Sequence, residues 1–209
     1  MRPTVGALLI VIAGSIGTLF NIQQPVFGTV AESHLTIERA DVSIADNDND
    51  LTARLSVEGV DIPTDGAEGA FGYGILTQDG NATLVAHTHL GVLDSEDQTF
   101  TEDPIWHTHL VKLGDVKQCG DNNRGIVDIT WQSPGKVSID GNNVRFSGIP
   151  TGEYKGWDSI SGKPLTMTLG KDVSDAVSFK LKPVFDEDGL EAICVTDIRS
   201  AEEGVNNTD

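Results

Sequence analysis

Basic side chains are scarce in this chain of 209 residues: 14 lysines and arginines stand against 32 aspartates and glutamates, a net charge of -18. A phosphate backbone repels such a surface, so nucleic acid is excluded as a partner held by basic patches. Adhesion to an anionic lipid surface is disfavoured for the same reason. Cysteine is scarce as well, with two in the whole chain, too few for a disulfide-built scaffold. Beyond residue 31 no apolar run approaches the roughly 20 residues that a membrane-spanning helix needs. No window sustains the three-and-four spacing of an amphipathic helix. Gly-x-Ser-x-Gly and the phosphate-cradling glycine motifs are missing. Gly69 to Gly74 leads into no helix and reads as backbone crowding or a bulge in a strand.

Residues 1–31 read as a signal peptide or, if uncleaved, an N-terminal membrane anchor. Arg2 supplies a basic start, Val5 to Phe20 is mostly apolar, and Thr29-Val30-Ala31 offers a cleavage point. The body of the protein is therefore expected outside the cytoplasm, secreted or at the cell surface. In an oxidising compartment the lone cysteine pair, Cys119 and Cys194, is most simply a disulfide.

Period-two alternation runs through the rest. Strands are expected around 35–44 and over 51–57, 71–76, 83–93, 105–113, 126–131, 136–139, 144–149, 165–169, 177–185 and 190–198. Turn signals separate them, among them Asp140-Gly141-Asn142-Asn143 and Asp186-Glu187-Asp188-Gly189. About ten short strands at this spacing point to an all-β fold: a single antiparallel sandwich, or a partly open barrel, over residues 32–200. Residues 201–209 read as a loose polar tail. Asp46, Asp48 and Asp50 mimic part of a calcium loop. The glycine and glutamate that complete that pattern are missing, so a solvated turn is the better reading.

What is present in excess is one tetrapeptide. His87-Thr88-His89-Leu90 and His107-Thr108-His109-Leu110 hold four of the five histidines. On a strand, residues two apart share a face, so each pair presents two imidazoles on one side. Positions 87 and 109 have the same sum as 89 and 107. One antiparallel register thus sets His87 opposite His109 and His89 opposite His107, with all four on one face. Imidazole is a good neutral ligand for copper and zinc, and four of them on one face are costly unless something uses them. His87, His89, His107 and His109 are therefore the candidate metal ligands, with a copper or zinc ion as cofactor and partner. The intervening loop carries Asp94, Glu96, Asp97, Glu102 and Asp103, any of which could complete the coordination or orient an imidazole. Trp106 adjoins His107 and by alternation faces away from the imidazoles.

The pattern departs from known strand-borne His-x-His sites. Cupins place a glutamate four residues after the second histidine, where this chain has Leu93. A blue-copper centre needs His and Met near its cysteine, and neither follows Cys194. The leading expectation is an exported metal-binding protein for capture, delivery or redox. The alternatives are an extracellular module assembling with itself or on the cell surface, and a small copper- or zinc-dependent oxidoreductase or hydrolase with an open coordination position.

Overall fold

The structure is a computed structural model and describes residues 32–45, 49–120, 124–187 and 189–208. Residues 1–31, and with them the signal or anchor, lie outside the described residues, as do Asp46 and Asp48 of the acidic turn. Among the described residues no helix is long and apolar enough to cross a membrane.

The all-β expectation holds. A five-stranded sheet is built from β1 (Ile37–Ile44), β2 (Asp50–Val57), β7 (Lys136–Asp140), β8 (Asn143–Pro150) and β13 (Val205–Thr208), in the order β13-β1-β2-β8-β7. The order β11-β12-β6-β5-β4-β3 closes a six-stranded barrel from β3 (Phe71–Thr77), β4 (Thr83–Thr88), β5 (His107–Asp115), β6 (Arg124–Ile129), β11 (Val173–Asp186) and β12 (Gly189–Ser200). A two-stranded ribbon, β9 (Gly152–Trp157) with β10 (Pro164–Leu169), completes it. The barrel is thus closed, not partly open, and it accompanies a sheet. Within the stretch expected as a loose polar tail, Val205–Thr208 form β13, which adds to the edge of β1 in parallel, Ala40 facing Val205.

Two apolar cores follow from the strict alternation of β3, β4 and β5. Phe71, Tyr73, Ile75, Leu84, Ala86 and Leu110 turn outward and join Leu51, Leu55 and Phe146 of the sheet in one core. Val85, Val111, Val177, Phe179, Ile193 and Val195 turn inward and form a second, the barrel interior. These three strands are buried on both faces, which explains their almost unbroken burial. Trp106 lies on the outward side as alternation requires, stacked on Tyr73 with centroids 5.8 Å apart.

Six strands enclose a narrower bore than the eight that side chains just fill, so something inside must be small. β3 meets that need with Gly72 and Gly74. A Cβ on Gly72 would sit 2.3 Å from the Ala86 carbonyl oxygen, 2.7 Å from His87 Cβ and 2.9 Å from Phe179 Cζ. The glycine run is therefore backbone crowding. No register shift interrupts the β3–β4 ladder at these positions.

The barrel seam is thinnest between β12 and β6, where the registered pairs are Cys194 with Gly125 and Val195 with Arg124. The Cys119–Cys194 disulfide lies on that seam, its Cα atoms 5.4 Å apart. Cys119 ends a short 3-10 turn, Lys117–Cys119, just before β6.

Candidate metal centre

β4 ends at Thr88 rather than running on to 93, so His87 closes β4, His89 stands just beyond it at the start of the acidic loop, and His107 and His109 open the antiparallel neighbour β5. The register differs from the one expected. His87 faces His107, and Val85 faces His109. His87 is not opposite His109, nor His89 opposite His107. The offset is two residues, so the faces are unchanged and all four imidazoles still turn into the barrel. Turn geometry and outer-face packing set the pairing, and the His-x-His alternation is blind to an offset of two.

All four imidazoles are buried, and Asp94 is buried among them at 5% exposure. Asp94 Oδ1 lies 3.1 Å from His89 Nε2, 3.2 Å from His107 Nε2 and 3.8 Å from His109 Nε2, and Oδ2 lies 3.7 Å from His87 Nε2. His87 Nε2 and His107 Nε2 are 2.9 Å apart. The ligand atoms of His87, Asp94, His107 and His109 all lie within 4.8 Å of one another. His89 stands outside that tight set and joins it through Asp94. Two donors each about 2.05 Å from one ion are about 2.9 Å apart at 90° and about 3.3 Å apart at the tetrahedral angle. The separations of Asp94 from His89 and His107, and of His87 from His107, fall in that range, whereas those of Asp94 from His87 and His109 are wider at 3.7 and 3.8 Å. The rings cross edge to face, not stacked, with His87 and His107 centroids 4.6 Å apart at 78°.

Hydrogen bonds decide which nitrogens are free. His107 Nδ1–H donates to the Ile105 carbonyl at 2.8 Å, and His109 Nδ1–H to the Thr130 carbonyl at 2.5 Å. A carbonyl only accepts, so in each neutral ring Nε2 carries the lone pair. Those lone pairs face Asp94, whose ionised carboxylate also only accepts. His109 Nε2 is buried with no hydrogen-bond partner at all. The ion pairs of Asp94 are all with imidazoles, with no lysine or arginine among them. His87 Nε2–H donates to His107 Nε2 and His89 Nε2–H to Asp94 Oδ1, which leaves His109 Nε2 as the lone pair with no donor beside a buried negative charge, the place a cation would fill.

The electrostatics agree. Burial pushes His109 down to about 4, against the opposing charge of Asp94. Burial, and then the neighbouring His107, hold His87 well below the ordinary imidazole range. Burial alone would raise Asp94, but the imidazoles around it, His109 foremost, outweigh that and hold it well below the usual carboxylate range. Neutral imidazoles beside an ionised carboxylate are the protonation states that metal ligation requires.

The supports converge on one short turn. Gln98 Oε1 accepts from the Asp94 backbone N–H, and Ser159 Oγ donates to the Asp94 carbonyl at 2.7 Å. Asp158 accepts from Ile129 N–H, and Ser159 N–H donates to the Ile129 carbonyl. Residues 158 and 159 thus clamp both the loop that carries Asp94 and the strand end whose Thr130 carbonyl orients His109. Sequence reasoning counted Asp94 among five loop acids without singling it out. Glu96, Asp97 and Glu102 are exposed, and Asp103 accepts from the Thr99 backbone N–H. Nearness to His89 is the only signal that marks Asp94. The fifth histidine, His34, packs against Phe71 in the outer core.

Comparison with protein-family models, with curated proteins and with solved structures finds no match. Fold and site together define an all-β protein with a closed barrel and a buried His/Asp cluster that could hold a metal ion.

Proposed function

We propose that the protein is exported and holds one copper or zinc ion through His87, His89, His107 and His109, with Asp94 as a fifth donor. The observation that carries this is His109 Nε2: its tautomer is set by the Thr130 carbonyl, it is buried, and it has no hydrogen-bond partner. Five donors exceed the closed tetrahedral set of a structural zinc site. That favours capture, delivery or a redox role over a purely structural ion. Burial supports the same reading over a surface-assembly contact, for which imidazoles would line an exposed edge. The Cys119–Cys194 disulfide is at home in an oxidising compartment, and residues 1–31 would supply the route there as a cleaved signal or retained anchor.

The test is metal analysis of protein purified without an immobilised-metal column. One transition-metal ion per chain is expected, lost together with affinity in His109→Ala. A metal-free protein with no thermal shift on adding copper(II) or zinc(II) would overturn the proposal.

A further inference from the structure

The barrel interior does not end at the histidines. An apolar cavity of about 70 Å³ begins at His87 and continues between Val85, Val111, Val177 and Phe179. It reaches Leu76, Leu113 and Ile198 at the far end of the barrel, where Ile198 is 52% exposed. Asp94 caps the opposite end. The cavity therefore runs from solvent to the back of the cluster. Among the described residues, His87 is its only ionisable lining residue and Thr83 its only hydroxyl.

The lining decides what fits. A single water needs roughly 10–15 Å³ of such space but also two to four polar partners, and cavities walled by Leu, Ile and Phe stay dry and take up benzene or xenon. Here there is room for more than one water and almost nothing for water to bind. Anions are disfavoured by the buried Asp94 and by a net charge of -18. A long aliphatic chain exceeds the volume.

We propose that this cavity is a binding site for a small neutral apolar molecule of the size of dioxygen, admitted at the Leu76–Ile198 end and presented to the centre on its His87 side. The presentation to a metal rests on the function proposed above, whereas the apolar site stands on the cavity alone. Gly72 is part of the same construction. Its missing Cβ lets His87 and Phe179, which both line the cavity, close up against β3.

Xenon is the probe. Crystals of the full chain pressurised with xenon, metal-free and copper- or zinc-loaded, should show a peak in van der Waals contact with Val85, Val111, Val177 and Phe179. In solution, 129Xe should show a saturable shift, and its bound line should be broader in the copper(II) form than in the diamagnetic zinc form. Val177→Phe fills the cavity and should abolish both signals while metal stoichiometry stays unchanged. Val195→Leu, a milder filling on another strand, should weaken xenon binding several-fold if Val177→Phe fails to fold. No xenon in the wild-type barrel, ordered water in its place, or equal line widths in the two metal forms would overturn the proposal. Xenon bound in a protein that takes up no metal would overturn the reading of the centre and support the apolar site.

Discussion

The two cores of this protein share three strands and have opposite characters. The outer core, between sheet and barrel, is dense with large side chains, and Phe71, Tyr73, Leu110 and Phe146 are all at 1% exposure or less. The inner core uses mainly valines and isoleucines over two glycines, leaves a cavity, and gives one end to imidazoles. Leu110 and His109 are neighbours on β5 and belong to different cores. One core is packed for stability, while the other keeps polar groups and open space that cost stability and are useful only for chemistry. The shared strands let the outer core offset the inner one.

The largest effect expected from breaking this division is on the barrel side. Replacing Cys119 and Cys194 by serine, or reducing the bond, removes a cross-link between residues 75 apart. In the chain-entropy model this is about 4 kcal/mol. The denaturation midpoint should fall accordingly in urea with reductant; an unchanged midpoint would show that the short β12–β6 seam needs no staple.

Next come the neighbours on β5. Leu110→Ala opens a void in the packed core and should cost about 3 kcal/mol, with metal affinity close to wild type. His109→Leu removes a buried unpartnered nitrogen but also the donor to the Thr130 carbonyl, so it should cost the metal-free protein about 1 to 2 kcal/mol, less than Leu110→Ala, yet it should lower metal affinity at least a hundredfold. Equal stability losses in the two variants would erase the distinction between the cores.

Acid should also act through the inner core. In the folded, metal-free protein His109 titrates at about 4 rather than 6.5. The unfolded chain therefore binds the proton first, and stability is lost as pH falls from about 6.5 through 4. For His109 alone the loss is about 3 kcal/mol. Denaturation curves over that range should show the slope in wild type and in Leu110→Ala, but a shallower one in His109→Leu. Bound metal should steepen it and extend it to lower pH, since the unfolded chain still takes up protons on imidazoles that take up none when ligated in the folded chain.

Two smaller changes sharpen the comparison. Gly72→Ala forces a methyl against the Ala86 carbonyl and His87 Cβ. It should cost about 2 kcal/mol, as overpacking does, and should weaken metal binding because the displaced residue is one of the proposed ligands. Ser159→Ala removes the hydroxyl that holds the Asp94 carbonyl. It should weaken metal binding about tenfold, as loss of an outer support typically does, with stability within about 1 kcal/mol of wild type. Calorimetric titration with a competing chelator reads both.

The imidazoles were legible in the sequence because a strand's period of two is local, and two copies of His-x-His need nothing more than strand geometry to face one way. Asp94 was not. Five carboxylates share its loop, and the burial of one is decided by Gln98 and by Ser159, 65 residues away. β9 was missed because Gly152-Glu153-Tyr154-Lys155-Gly156-Trp157 has two glycines and two charges and takes its strand form from pairing with β10. β13 was missed for a similar reason, as polar residues became a strand only by meeting the edge of β1. The second core could not be foreseen at all. Alternation says that β3, β4 and β5 have two faces, but only closure of the barrel tells what lies behind each.

The register of β4 against β5 bears on how robust such a centre is to change. The pairing found here and the one two positions away both bring all four imidazoles inside. What the repeated tetrapeptide encodes is therefore parity: odd positions inward and even positions outward on both strands. Any slip by two preserves that code, and a slip by one inverts it, sending Thr88 and Thr108 into the bore and the histidines into the outer core. Insertions or deletions in the connection beyond Asp94 leave the parity of each strand untouched, because alternation belongs to the strand and not to its connection. A two-residue insertion within β4 is also neutral in this sense, whereas a single residue added there discards the centre. The repeat thus tolerates an even step in how the strands are aligned, provided the connection still carries His89 and Asp94 to the other imidazoles, and does not survive an odd step within a strand.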